Sequence, residues 1–282
     1  MLLTLNSNFF RPFGILGEIE KSIEAGFRSI DLNLCLYNQN VLYFSERDHY
    51  IKEIKARLSE GGAVIHQTHA PFPSYREGEE DYNKLLKERT LQAIEVSAQL
   101  GAKQVIVHPI WFRNDTPAVQ MEKNLELYEP YGKRAKECGI KIAIENIGIV
   151  SITSTPERLN KLFDTLNDPV FTVCFDVGHC LLQGVDPAEA IRAIGPRLVD
   201  GCTHVHDNNG DRDTHTLPYY GKVDWESVMK ALADIDYQGD LNYEASAFIK
   251  DIPVALYYDG LTYMAKVGRY LIERFEYYKE NK

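Results

Sequence analysis

One recurring unit constrains the fold of this 282-residue chain more than any other sequence feature. The unit is an amphipathic stretch, a glycine and then a short run rich in Val and Ile. Glycine suits the junction because it readily adopts the left-handed conformation that ends a helix. The unit's glycines lie at Gly26, Gly61–Gly62, Gly101, Gly139 and Gly239. Helices and strands are therefore predicted to alternate, as in an α/β protein with a parallel sheet.

The apolar runs show little polar alternation, which is typical of parallel strands covered by helices. With three further runs, the sequence contains eight strand candidates, at residues 2–5, 29–33, 63–66, 104–108, 140–145, 171–175, 200–205 and 240–244. Eight βα units in a chain of this length predict a (β/α)8 TIM barrel. The alternative is a doubly wound open sheet, but no glycine-rich nucleotide-binding motif follows any of the runs.

Composition indicates one globular domain spanning residues 1–282. No Ser/Gly/Pro-rich linker divides the chain, which is 44% hydrophobic and 26% charged. Its net charge of −10 argues against general attraction to nucleic acid or anionic membranes, so a small polar substrate is the expected partner. No apolar run approaches the roughly 18 residues of a membrane span. The five cysteines include no CxxC pair, and we expect reduced thiols in the cytoplasm.

The reactive residues of a TIM barrel lie at the carboxyl ends of its strands. Six consecutive predicted strands end near a residue that can bind a metal, namely His69, His108, Glu145, Asp176, His206 and Glu244. Any one of them alone would more often be a helix cap or a hydrogen-bonded core group. Three acidic groups held together raise one another's pKa unless a cation compensates them. The sequence therefore predicts a divalent metal site at this rim.

Two local segments contain further donors. Phe175–His179 places His179 three residues after Asp176, and Thr203–His215 combines three histidines and three aspartates in a loop that looks too polar for the core. His204 shares a strand face with His206, one layer deeper, and is expected to support the ligands rather than bind metal. The histidine ligand candidates are His69, His108, His179, His206 and His215. Structural roles are expected for the remaining two, His49 and His66.

These residues resemble the xylose isomerase-like TIM-barrel superfamily, which includes sugar isomerases, sugar epimerases and endonuclease IV. The resemblance covers nearly the whole chain and rests on six ordered strings: His69–Phe72, Val107–Pro109, Ile144–Asn146, Phe175–His179, His204–Asp207 and Tyr243–Glu244. Similarity to the epimerases implies one divalent ion, Mn²⁺ or a similar metal, held by four ligands, Glu145, Asp176, His206 and Glu244. Three carboxylates and one imidazole form an oxygen-rich site that suits Mn²⁺, Mg²⁺ or Co²⁺.

The same resemblance implies a metal-dependent isomerase or epimerase of a sugar or sugar phosphate. The metal would polarise the sugar carbonyl while Glu145 and Glu244 move a proton by way of an enediolate. It also implies that His179 and Arg212 contact the substrate. Three aromatic residues are candidates for the wall of the sugar pocket: Phe72, Trp111 and Tyr220. Oligomers are common among the resembling enzymes, although no sequence feature locates an interface.

An alternative within the same superfamily is a zinc phosphodiesterase of the endonuclease IV type, with up to three zinc ions. Its ligand pattern is matched in residue type at nine positions, His69, His108, Glu145, Asp176, His179, His206, Asp213, His215 and Glu244. Against it, the segment after Glu145 lacks the Gly-rich continuation of the nuclease family. The loop 206–225 also has four aspartates against one arginine and one lysine, which would repel a DNA backbone. A metal-stabilised binding protein is the third possibility.

Overall fold

The computed structural model describes residues 1–7, 13–35, 41–43, 45–72 and 75–282. These residues form eight parallel strands, β1 (Leu3–Asn6), β2 (Ser29–Asn33), β3 (Val64–His69), β4 (Gln104–Val107), β5 (Lys141–Glu145), β6 (Phe171–Asp176), β7 (Cys202–His204) and β8 (Leu241–Tyr243). Each strand from β1 to β6 pairs with the next one along the chain, and β1 also pairs with β8. The predicted (β/α)8 TIM barrel is confirmed.

The described residues also form eleven α-helices, α1 (Gly14–Ala25), α2 (Arg47–Gly61), α3 (Glu80–Leu100), α4 (Pro117–Cys138), α5 (Pro156–Leu166), α6 (Val177–Leu182), α7 (Pro187–Ile194), α8 (Pro196–Val199), α9 (Trp225–Asp234), α10 (Ser246–Lys250) and α11 (Tyr257–Glu280). Two 3-10 turns cover Val41–Tyr43 and Val254–Leu256. Among the described helices, none combines the length and apolar character needed to cross a membrane.

Four of the predicted helix-ending glycines have the expected backbone. Positive φ angles are found at Gly26, Gly62, Gly101 and Gly139, directly after α1, α2, α3 and α4. The prediction for Gly239 is wrong, because the positive φ after α9 belongs to Asp236. Gly239 is instead needed for close packing, since a Cβ there would lie 2.2 Å from Tyr237 Oη.

The predicted strand bounds differ from the structure most clearly at β3, β7 and β8. β3 extends to His69, beyond the predicted end at residue 66, and both β7 and β8 are shorter than predicted at both ends. A bridge between Val205 and Tyr243 closes the barrel beyond the end of β7. There, Val205 N donates to Asn242 O at 2.7 Å and Glu244 N donates to Val205 O at 3.1 Å. This short seam joins β7 to β8 immediately beside two predicted ligands, His206 and Glu244.

Alternate residues of the strands face different environments. Ile142 and Ile144 of β5 pack in the large cluster that includes helix residues, whereas Ala143 belongs to a separate small cluster with Ile106, Cys174 and Cys202. The five cysteines form no disulfide. Between β1, β2, β3 and β8 the buried side chains are instead polar and hydrogen-bonded. The barrel interior is therefore apolar on one side and polar on the other.

Candidate metal centre and active site

The nine predicted donors lie together at the carboxyl ends of β3 to β8. Among the described residues, four groups of side chains could hold a metal ion, and within each group the ligand atoms lie within 4.8 Å of one another. The groups are, first, His69, His108 and Glu145; second, Glu145, Asp176, His204 and Glu244; third, His179, His206, Asp213 and His215; and fourth, Glu145, Cys174 and His204. Glu145 belongs to three of them, so it is the side chain around which the donors are organised.

The first group brings two imidazoles onto one carboxylate oxygen. His108 Nε2 lies 2.8 Å from Glu145 Oε2, and His69 Nε2 lies 3.5 Å from the same oxygen. The other nitrogen of His69, Nδ1, is 2.8 Å from the carbonyl oxygen of Ala70. Because a carbonyl only accepts, Nδ1 carries a proton, and Nε2 is the nitrogen that can bind a cation when the ring is neutral.

The second group centres on His204, which is fully buried. Its Nδ1 lies 3.1 Å from Glu145 Oε1, 3.0 Å from Glu244 Oε2 and 3.8 Å from Asp176 Oδ2. Two glutamates from the non-adjacent strands β5 and β8 therefore converge on one imidazole nitrogen. His204 was expected behind the ligands, and the structure places its ring edge directly against them.

The third group surrounds Asp213. Asp213 Oδ2 lies 3.2 Å from His179 Nε2 and 3.1 Å from His215 Nε2. His206 stacks on His215 with ring centroids 4.0 Å apart, and its Nε2 is 3.0 Å from Asp176 Oδ1. Of the four ligands implied by the epimerase resemblance, Asp176 and His206 thus contact each other directly, whereas the two glutamates contact His204.

Two more imidazoles are oriented in the same way as His69. His179 Nδ1 lies 2.9 Å from Asn146 O, and His215 Nδ1 lies 2.7 Å from Glu244 O. Both rings therefore donate from Nδ1 to a backbone carbonyl and turn Nε2 toward Asp213. Histidines that bind metal usually donate their second N–H in this manner, which fixes the tautomer and the ring orientation.

Protons on the imidazoles balance the buried carboxylates. Burial lowers the pKa of His69, but the hydrogen bond and charge of Glu145 outweigh it and raise that pKa to about 9. Burial likewise lowers the pKa of His215, and Asp213 and Glu244 raise it to about 9. For Glu145, burial favours the neutral acid, but His204 and His108 hold its pKa well below the usual range. A divalent cation can replace these protons as the counter-charge.

Neighbouring residues hold Asp176 and His206 in place. Asp176 caps α6, with His179 N donating to its Oδ1 at 2.6 Å. Asn146 accepts from Asp176 N at 2.7 Å and donates to Asp176 O at 2.9 Å. Gly178 leaves the space for an imidazole, since a Cβ there would lie 2.0 Å from His206 Cε1. These roles of Asn146 and Gly178 were not predicted, although both residues lie in the strings that carried the resemblance.

The segment after β7 departs from its predicted exposure. Residues 203–208 are all buried, including His204, His206 and Asp207, whereas residues 209–214 are exposed. The expectation that the whole segment is too polar for the core is therefore wrong. Polar side chains are tolerated inside when they are hydrogen-bonded, and Asp207 alone accepts four hydrogen bonds.

The residues predicted to contact the substrate lie at different places around the donors. Phe72 is 46% exposed, and its ring centroid lies 4.9 Å from that of His108, so it borders the donors. Trp111 donates from Nε1 to Val150 O at 2.7 Å, which attaches it to the loop after β5. Arg212 is exposed on the loop that carries Asp213. Tyr220 packs on Phe248 and Tyr263 of α10 and α11, with ring centroids 5.5 Å apart for the first pair.

Comparison of sequences identifies relatives of similar length. The chain is 27% identical over 263 residues to the uncharacterized protein y4fM of Sinorhizobium fredii. The aligned region covers 82% of this chain and 81% of that protein. It is 25% identical over 207 residues to an inosose dehydratase of Clostridium perfringens, covering 62% of this chain and 66% of the relative.

Comparison of structures gives the same fold. A crystal structure of a D-tagatose 3-epimerase-like protein matches with a TM-score of 0.79 and 22% identity over 98% of both chains. The IOLI protein, whose structure contains a zinc atom, matches with a TM-score of 0.75 and 15% identity over 99% of both chains. At such identities the likeness establishes the fold.

A family model described as "Xylose isomerase-like TIM barrel" matches residues 19–266, a range that contains every donor named above. The match confirms the resemblance drawn from the ordered strings at the strand ends. The chain belongs to the xylose isomerase-like TIM barrel family.

Proposed function

We propose that this protein is a divalent-metal-dependent isomerase or epimerase of a small sugar or sugar phosphate. One observation carries the proposal: Glu145 Oε1 and Glu244 Oε2 lie 3.1 and 3.0 Å from the same nitrogen of His204. Moving a proton between carbons needs one group that removes it and one that returns it. Two buried glutamates that face one point of the barrel mouth supply that pair. The D-tagatose 3-epimerase-like neighbour supports the sugar class.

The donor chemistry fits a divalent cation. Glu145, Asp176, His206 and Glu244 would hold it, and three carboxylates with one imidazole suit Mn²⁺, Co²⁺, Mg²⁺ or Zn²⁺. The fit is supported by the orientation of the neighbouring rings, which turn Nε2 inward and donate Nδ1 to carbonyls. When bound, the cation acts as a Lewis acid on the carbonyl of the sugar.

The chain's own residues then perform the proton transfer. One glutamate of the pair removes the proton from the carbon next to the carbonyl, and the other returns a proton to the enediolate at another carbon or on the opposite face. Both glutamates are buried, which limits the access of water to the carbanion-like intermediate. His179 and Arg212 would contact sugar oxygens, and Phe72 and Trp111 would border the sugar ring.

Deuterium exchange tests this function directly. The protein, loaded in turn with Mn²⁺, Co²⁺, Mg²⁺ or Zn²⁺, is incubated in D₂O with a panel of ketoses, ketose phosphates and inososes. Incorporation of deuterium at the carbon next to the carbonyl is followed by NMR. We expect exchange with at least one of them. Glu145→Gln and Glu244→Gln should abolish it without unfolding the chain, and Glu226→Gln on α9 is the matched surface control. A complete absence of exchange, or full exchange in Glu145→Gln, would refute the proposal.

A second candidate is favoured by one specific observation, the three adjoining donor groups around Glu145, His204 and Asp213. A site for up to three Zn²⁺ would suit phosphodiester hydrolysis, with ions on the attacking and leaving oxygens. Metal analysis separates the two functions: about one ion per chain supports the isomerase. Three tightly held zinc ions together with nicking of abasic DNA would support the phosphodiesterase.

A further inference from the structure

Asp31 is a buried carboxylate inside the barrel for which the proposed reaction has no role. It is the middle residue of β2 and is fully buried. Its Oδ2 accepts hydrogen bonds from three side-chain amides on three other strands, Asn6 at 3.1 Å, Gln67 at 3.3 Å and Asn242 at 2.7 Å. Neutral amides hold the carboxylate in position without neutralising it, so its charge acts on whatever polar group lies next to it.

That neighbouring group is His204. Its Nε2 lies 3.4 Å from Asp31 Oδ2 and makes no hydrogen bond to any residue of the described ranges. A neutral imidazole holds one proton, and a carboxylate beside Nε2 favours the tautomer with the proton on Nε2. His204 then presents the lone pair of Nδ1 on the opposite side of the ring.

In the ion-free protein a proton on Nδ1 meets the neighbouring carboxylates. A cation that displaces this proton leaves the lone pair of Nδ1 facing the same oxygens. Nδ1 lies about 3 Å from oxygens of Glu145 and Glu244, and ionised carboxylates accept hydrogen bonds but do not donate them. Three acceptors that converge in a buried place need a positive charge between them. The ligand atoms of this group, including Asp176, all lie within 4.8 Å of one another.

We propose that His204 is a ligand, through Nδ1, of the cation held by Glu145 and Glu244, and that Asp31 is the positioning residue that orients its ring. This inference rests on the cation site of the proposed function and adds a donor to it. His204 comes from inside the barrel, whereas His206, two residues later, approaches Asp176 from the side of the third donor group. The strand thus supplies two imidazoles to the donor cluster rather than one.

The barrel contains a matched pair that serves as a control. His66 Nδ1 lies 2.7 Å from Asp240 Oδ2, and Asp240 is also buried. Asp240 immediately precedes β8 and Glu244 immediately follows it, so this second pair lies at the opposite end of the strand. The exchange of Asp240 for Asn therefore removes the same charge from the same kind of contact, away from the donors.

Cobalt binding to the ion-free protein tests the proposal without substrate. Affinity is measured by chelator competition and the ligand field by visible absorption for the wild type, His204→Gln, Asp31→Asn and Asp240→Asn. We expect His204→Gln to lose at least tenfold in affinity for one ion and to change its spectrum. Asp31→Asn should lose roughly 10-fold to 100-fold, the usual effect of removing a carboxylate behind a ligand histidine. Asp240→Asn should remain within about twofold of the wild type.

A measurement on the unmutated chain covers the case in which His204→Gln does not fold. His69, His179 and His215 donate from Nδ1 to carbonyls, so each would bind metal through Nε2. His108 and His206 likewise turn Nε2 toward carboxylates of the site, those of Glu145 and Asp176. In the ¹⁵N-histidine-labelled protein with Zn²⁺, NMR should therefore show a histidine bound through Nδ1. Its absence, or equal affinities for His204→Gln and Asp240→Asn, would overturn the proposal. If these results hold while no sugar exchanges deuterium, the ligand assignment stands and the sugar reaction fails.

Discussion

The carboxylate of Asp207 accepts a hydrogen bond from the indole Nε1 of Trp225 at 2.9 Å, which joins the residue after His206 to the first turn of α9. Three backbone N–H groups donate to the same carboxylate, those of Asn208, Tyr219 and Val223. One buried carboxylate therefore bonds the beginning of the segment between β7 and α9 to its end. Since that loop carries Asp213 and His215, the shape of the third donor group depends on Asp207.

We predict that Asp207→Asn destabilises the fold and loosens this loop. The variant places an NH₂ group where N–H donors converge, so at least one buried donor loses its acceptor, at a cost of about 2–4 kcal/mol. Denaturant unfolding measures the loss, and limited proteolysis within the exposed residues 209–214 reports the loosening. Trp225→Phe is the comparison, because it removes one donor and leaves the carboxylate intact. Unchanged proteolysis in Asp207→Asn would show that the loop is held by other contacts.

We predict that Gly178→Ala displaces the His206 imidazole and weakens cation binding at least tenfold. A Cβ at this position would lie 2.0 Å from His206 Cε1 and 2.5 Å from Nδ1, far inside contact distance. Overpacking of this kind also costs roughly 1–3 kcal/mol of stability. Gly260→Ala in α11 is the control, since its new methyl group would meet the end of the Ile252 side chain at 3.0 Å and the Ile249 side chain at 3.4 Å, both close to ordinary contact. Calorimetric titration with Mn²⁺ compares the two, and equal affinities would contradict the role given to Gly178.

The ion-free protein should lose stability as the pH rises from about 6.5 to above 9. The folded pKa values of His69 and His215 are raised to about 9 from an ordinary value of 6.5. A raised histidine pKa contributes stability that is fully present below the unfolded value and is lost as the pH passes the folded value. We expect a loss on the order of a few kcal/mol, measured by thermal unfolding in EDTA. Cation binding should release protons and strengthen with pH across the same interval, and proton uptake on binding would contradict this account.

Glu18 provides a separate pH effect on the outside of the barrel. Burial raises its pKa to about 7, against the opposing hydrogen bond from Tyr257 Oη at 2.7 Å. The folded pKa lies above the unfolded value, so this carboxyl favours the folded state below pH 4.5 and loses that contribution as the pH rises through 7. Glu18→Gln should therefore stabilise the chain by roughly 1 kcal/mol at pH 8, a small value because solvent screens part of the shift. Glu20→Gln on the exposed face of α1 should show no such gain.

The strand ends and their donors were predictable because a parallel barrel sends all its carboxyl ends to one rim. Once the strands were assigned, residues as distant as His69 and Glu244 had to converge, whatever the details of the helices. Chemistry alone then indicated a cation, because Glu145, Asp176 and Glu244 repel one another without one.

The orientation of single side chains was not predictable in the same way. The sequence shows that His204 and His206 share a strand face, but which nitrogen meets which oxygen depends on the tilt of β7 against β5 and β8. Asp31 was overlooked because an acidic residue inside an apolar run has no local signature of its partners, which come from β1, β3, β7 and β8. The burial of Asp207 was missed for the same reason, since its donors lie up to 18 residues away in the chain.

The bridge between Val205 and Tyr243 gives the barrel a weak point that coincides with its chemistry. Wherever the other strands meet, several residue pairs are in register, but β7 and β8 meet through this short junction, and His206 and Glu244 follow it directly. A cation bound by donors that follow both strands would cross-link the two strand ends and stabilise the junction. Binding of the cation would then slow hydrogen exchange at the amides of Val205 and Glu244 more than at other amides. The reactive centre would therefore also hold the barrel shut at this junction.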